Sequence, residues 1–177
     1  MKCAPFKCLQ NKYRILQSSC LKLYFKKLSH IDFIYSLKGN DVAFNAHGLY
    51  VFSKYVKSFQ TVIYKTTNAY NASTGHFTAP VDGIYFFTVQ ICSQYNHGLF
   101  FYLEKGYADM DGATRLKAAN QYSSNDAACT SSSTSVKLNR NEHVWVLMDR
   151  IYTGSTIYKQ DPYAWNTFTG TFIKELS

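Results

Sequence analysis

From Asp41 onward the chain is built of short runs of aromatic and β-branched residues, each closed by a cluster of turn formers. The strongest run, residues 84–92, reads IYFFTVQIC, with hardly a position that disfavours a pleated strand. Other runs fall at 42–46, 49–52, 59–64, 75–79, 99–103, 135–138, 143–148 and 168–173, with a weaker one at 115–119. Between them stand Asn68 to Thr74, Pro80-Val81-Asp82-Gly83, Asn96-His97-Gly98 and Asn139-Arg140-Asn141-Glu142, all turn chemistry. Residues 123–135, rich in Ser and Thr around Cys129, read as a loop, and so does 152–166. Eight or more short strands at this spacing, with little helical pattern, predict an all-β, two-sheet sandwich. No fixed period repeats, which excludes propellers and solenoids.

Charge divides the chain at Gly39-Asn40-Asp41, a turn signal taken as the domain boundary. Residues 1–40 carry eight cations and one anion, whereas residues 41–177 carry eleven and ten. Seven units of the overall +8 therefore belong to a basic leader, and the body is a near-neutral domain with no expected nucleic-acid partner. Within the leader, Leu21, Tyr24, Phe25, Leu28, Ile31 and Tyr35 can share one helical face, with Lys22, Lys26 and Lys27 off it. Residues 1–40 are thus either a basic amphipathic helix suited to a membrane surface or partner, or a poorly ordered leader. They show no uninterrupted apolar stretch of signal-peptide type, and no run in the chain has the length of a membrane span.

No catalytic constellation emerges. The histidines (His30, His47, His76, His97, His143) never fall at zinc-protease or zinc-finger spacing, and no nucleophile elbow or phosphate loop is present. The expectation is a protein that is not an enzyme. Cys92 and Cys129, the two body cysteines, are on these grounds one bridge or two buried thiols. Asn71-Ala72-Ser73 is the one glycosylation sequon, so Asn71 is a candidate acceptor. Asp109, Asp111 and Asp126 are loop acids that do not define the six to eight oxygens calcium needs; no metal or other cofactor is indicated. Tyr152, Tyr158, Tyr163 and Trp165, in one polar loop, are candidate ligand-stacking residues or else aromatics folded over the sandwich end.

The stretch Tyr70 to Phe87, YNASTGHFTAPVDGIYFF, resembles the core motif of the complement C1q globular domain family. Phe59, Tyr70, Phe77, Gly83, Tyr85 and Phe87 stand in the family's order. Residues 42–46, Val144-Trp145-Val146 and the stretch from Phe168 through Gly170 to Ile173 resemble its first, penultimate and last strands. The pattern departs at Lys65, Thr67, Val89 and Glu142-His143. Gly83, after Pro80-Val81-Asp82, is expected to supply a positive φ.

The resemblance implies a jelly roll of about ten strands, a homotrimer, an extracellular location and a Cys92–Cys129 disulfide. It also implies that calcium binding, known in some members, is possible. Ile84, Phe86 and Thr88, on the opposite strand face from Tyr85 and Phe87, would then meet a neighbouring subunit. The implied function is recognition of carbohydrate or microbial-surface ligands in innate immunity; the alternative is a tumour-necrosis-factor-like ligand of a host cell-surface receptor.

Overall fold

The structure is a computed structural model that describes residues 41–49, 59–153, 155–158 and 166–176. The expected leader and residues 50–52 of an expected strand lie outside the described residues. Among the described residues, ten strands form two antiparallel sheets of five. The first contains β1 (Ala43–Leu49), β2 (Phe59–Lys65), β5 (Gly83–Ser93), β8 (Ala128–Leu138) and β10 (Thr167–Glu175), in the order β2-β1-β10-β5-β8. The second contains β3 (Tyr70–Asn71), β4 (His76–Thr78), β6 (His97–Gly106), β7 (Thr114–Ser123) and β9 (His143–Met148), in the order β3-β4-β9-β6-β7. This is the two-sheet sandwich that the strand pattern predicts, with the ten-strand jelly-roll layout that the resemblance implies.

Alternation builds the core. Along β5, Tyr85, Phe87, Val89 and Ile91 are fully buried between the sheets. β10 lies beside β5 and contributes Phe168, and β1 contributes Phe44. Phe44 stacks on Tyr70 at 4.4 Å between ring centres and meets Phe168 edge-on at 5.0 Å. Phe77 meets Phe87 edge-on at 5.0 Å. The Tyr70 hydroxyl, buried in this cluster, both accepts from the Phe59 amide and donates to its carbonyl. Burial raises its pKa despite those bonds.

Two expectations are corrected. Much of the Ser/Thr-rich segment is strand β8, paired with β5 from Gly83↔Leu138 to Ser93↔Ala128. As an edge strand it has one ladder partner, and its outward residues Ser131, Ser133, Ser135 and Lys137 are exposed. Hydroxyl side chains therefore suffice where a central strand needs apolar ones. Cys129 accordingly sits in a strand, directly opposite Cys92, and the two are disulfide-bonded. The second correction concerns Gly83, which is not among the positive-φ glycines (Gly48, Gly75 and Gly112). Glycine is needed there for close approach, since a Cβ would stand 2.6 Å from the Phe172 ring and 2.8 Å from the Lys174 carbonyl oxygen.

Candidate functional site

The outward face of the second sheet carries most of the chemistry. On β9, Val144, Val146 and Met148 face the core, so His143, Trp145 and Leu147 point the other way. Trp145 is nevertheless only 1% exposed. The His76 ring from β4 stacks on it at 5.1 Å, nearly parallel. Gly106, on β6, lets the indole lie close, because a Cβ there would be 3.0 Å from its rim. The indole N–H is buried without a hydrogen-bond partner. Next to Trp145 across the β6–β9 ladder is Glu104, which pairs with Arg115 at 3.2 Å. The Arg115 guanidinium in turn lies 3.5 Å over the Tyr102 ring.

Concavities on the described surface include two lined by polar and aromatic side chains. One, of about 410 Å³, is lined by His76, Thr78, His143, Asn71, Ser73 and Met110, among others. Here the Nδ1 atoms of His76 and His143 are 3.3 Å apart, and Thr78 Oγ1 is 3.4 Å from His143 Nδ1. Burial, with His143 alongside, pulls His76 down to about 4, and burial also lowers His143. Both imidazoles are thus neutral near pH 7.

The other, of about 480 Å³, is lined by Phe100, Asn120, Gln121, Tyr122, Arg150 and Tyr152, with Gly98 and Leu99. Tyr122 is an exposed ring whose hydroxyl donates to Asn96 Oδ1 at 2.8 Å. Arg150 is held by Asp149 at 2.9 Å and remains largely in solvent. Tyr152 forms part of the lining and is otherwise buried. Its hydroxyl accepts from the Phe100 amide at 2.8 Å and donates to Asp149. Burial first, and then the Asp149 bond, push its pKa up to about 12.

The candidate loop residues fare differently from one another. Tyr152 follows the second of its two readings: only 4% exposed and tied down through its hydroxyl, it packs into the core cluster. Tyr158 is half-buried, and its amide donates to the Cys92 carbonyl. Asn166 completes that clamp, accepting from the Cys92 amide and donating to the Tyr158 carbonyl, each at 2.8 Å. Tyr163 and Trp165 lie outside the described residues. Asn71 is exposed at the rim of the first concavity, its Oδ1 accepting from the Ser73 amide and hydroxyl.

Asp109 and Asp111 share the β6–β7 turn and accept amides of that same turn, while Asp126 sits in the β7–β8 turn. His76, His143, Tyr122 and Arg150 escaped the sequence reading. Period-2 alternation marks both histidines as outward-facing, but only the β4–β9 register brings them together.

Comparison with known proteins agrees with this geometry. The family model described as C1q domain matches residues 42–173. Similar solved structures include the globular domain of zebrafish complement 1qA protein, 18% identical, covering 76% of this chain and 99% of that one, with a TM-score of 0.57. Eiger TNF from S. frugiperda is 16% identical over 77% of this chain and 95% of its own, at a TM-score of 0.57. Murine APRIL at pH 5.0 is 12% identical over 75% and 98%, at 0.59. At such identities the likeness speaks for the fold. The family match runs from the first strand into the last, over a jelly roll with the motif aromatics at its centre, and so this chain belongs to the C1q domain family.

Proposed function

We propose that this protein is a secreted, non-enzymatic recognition module that binds carbohydrate or similar polyhydroxylated surface ligands as a homotrimer. The observation that carries the reading is the groove beside Tyr122. It combines an exposed aromatic ring with the Asn120 amide and the Arg150 guanidinium, while the Gln121 amide nitrogen donates to the Ser93 hydroxyl and the Ala128 carbonyl. An aromatic face suits the C–H face of a sugar ring, and amide and guanidinium groups suit its hydroxyl and carboxylate substituents. The disulfide accords with an oxidising, extracellular setting. Tyr163 and Trp165, which follow Tyr158 in the sequence, are further candidate contacts.

Trimerisation draws support from the outward face of the first sheet. Phe86 is 39% exposed there, flanked in register by Thr171 and Ser135, and Tyr64 on β2 is also exposed. A bulky ring standing among small hydroxyl side chains suits packing against a like surface. Three modest sites held together would act through avidity on a repetitive surface. The similarity to Eiger and APRIL favours the second reading, a ligand for a cell-surface receptor.

A glycan array probed with wild type, Tyr122→Ala and Trp165→Ala separates the two. Sugar binding lost in either variant supports recognition; no glycan binding, with capture by receptor-bearing cells, supports the second reading. Light scattering of wild type and Phe86→Asp tests the trimer, and a monomeric wild type would reject it.

A further inference from the structure

The chemistry left over in the first concavity is a pair of imidazoles with no evident structural need for each other. We infer that His76 and His143 form a two-imidazole site for a divalent transition metal, Zn²⁺ above all, open to the cavity. The inference stands apart from the carbohydrate reading and uses a different surface.

Placement comes from the sheet. The β4–β9 register sets Phe77 against Val144 and Thr78 against His143, so the outward-facing His76 is a diagonal neighbour of His143. Their Nδ1 atoms are 3.3 Å apart. Zinc binds imidazole nitrogen at about 2.0–2.1 Å and prefers tetrahedral geometry, which places two ligand nitrogens roughly 3.3–3.4 Å from one another. The two rings already stand at the separation a shared tetrahedral cation requires. His76 is held there by its stack on the buried Trp145, so little side-chain freedom is lost on binding.

The donor set also speaks to which metal. Imidazole suits zinc, copper and nickel and is a poor partner for calcium or magnesium. Among the described residues no third His, Cys, Asp or Glu joins the pair. Thr78 Oγ1, 3.4 Å from His143 Nδ1, is a further oxygen on the same wall. Two protein ligands make an exchangeable site, with its remaining positions left to water or to a donor atom of an incoming ligand. The competing reading is a plain hydrogen bond between two neutral rings, one Nδ1–H donating to the other Nδ1.

The test uses the full-length, untagged chain with Cys3, Cys8 and Cys20 replaced by serine, so that leader thiols cannot bind the metal. After treatment with a chelator and its removal, ZnCl₂ alone is titrated by calorimetry and CoCl₂ is followed by visible absorption. The expected result is one Zn²⁺ per chain with micromolar affinity, and Co²⁺ bands of tetrahedral intensity without thiolate charge transfer. His76→Ala and His143→Ala should each weaken Zn²⁺ binding at least tenfold, whereas His97→Ala should leave it unchanged. If either variant fails to fold, judged by circular dichroism, His76→Gln and His143→Gln replace it. No binding below millimolar Zn²⁺, or equal binding by wild type and the His76/His143 variants, overturns the site.

Discussion

Replacing Gly170 by alanine is the sharpest test of how the core is built. Gly170 on β10 is paired with Phe44 of β1 on one side and Phe87 of β5 on the other. A Cβ there would stand 2.4 Å from Phe44 Cε1, and 2.6 and 2.7 Å from Cε1 and Cδ1 of Phe87. Carbon contacts are favourable at about 3.5–4.0 Å, so each ring would have to retreat by roughly 1 Å. Neither is free to do so. Phe44 is stacked on Tyr70 and blocked by Phe168, and Phe87 is blocked by Phe77. Overpacking of this kind costs about 1–3 kcal/mol, and the upper part of that range applies because both obstacles are buried rings. The lower chain entropy of alanine returns about 0.5–1 kcal/mol. A net loss of about 2 kcal/mol is expected, or a fall in Tm of roughly 6–8 °C for a domain of this size.

Urea denaturation followed by tryptophan fluorescence measures it. Gly98→Ala is the control, since its nearest neighbours would be 3.8 and 3.9 Å away, and it should be neutral or slightly stabilising. Phe44→Leu should cost less in the Gly170→Ala background than in wild type, with a coupling of about 1 kcal/mol. A Gly170→Ala loss below about 0.5 kcal/mol, or strict additivity with Phe44→Leu, refutes the packing argument.

Three further outcomes follow from the same structure. Replacing Cys92 and Cys129 by serine opens a bridge spanning 37 residues of sequence and should cost about 3–4 kcal/mol in denaturant unfolding; equal midpoints for the bridged and serine proteins would count against it. Tyr152→Phe removes the hydroxyl that satisfies the Phe100 amide and meets Asp149, so a loss of about 1–2 kcal/mol is expected, and a change within 0.3 kcal/mol, on the order of measurement error, would contradict that role. In chelator, with no metal present, His76 is lowered to about 4 against an ordinary value near 6.5, so the unfolded chain takes up the proton first. Its contribution is complete above pH 6.5 and fades as the pH falls towards 4, by about 2–3 kcal/mol after allowing for partial exposure. His76→Gln should flatten that part of the stability profile, and an unchanged slope would show that other groups produce it.

How much of this was legible beforehand follows from what alternation encodes. β5 and β9 were readable almost to the residue because each carries five buried apolar side chains, more than any other strand among the described residues. β8 was not, because an edge strand beside β5 needs few apolar residues of its own, and Ser132 can be buried among larger neighbours. Gly83 and Gly170 were visible as motif positions, but their reason is the approach of rings from other strands, which no local pattern contains. The same holds for Tyr152, where an aromatic in a polar loop looks available until the partners of its hydroxyl are known. The histidine pair depends on register between strands more than sixty residues apart.

The clamp at Cys92 has a consequence for how this protein can change. Tyr158 and Asn166 both return to the backbone of one residue, itself fixed by the disulfide to the neighbouring strand. Positions 158 and 166 are therefore tied to the framework at a single point. Loop-closure entropy grows only slowly with length, about 0.6 kcal/mol for each doubling. The number of residues between those two anchors therefore bears only weakly on the free energy of the sandwich.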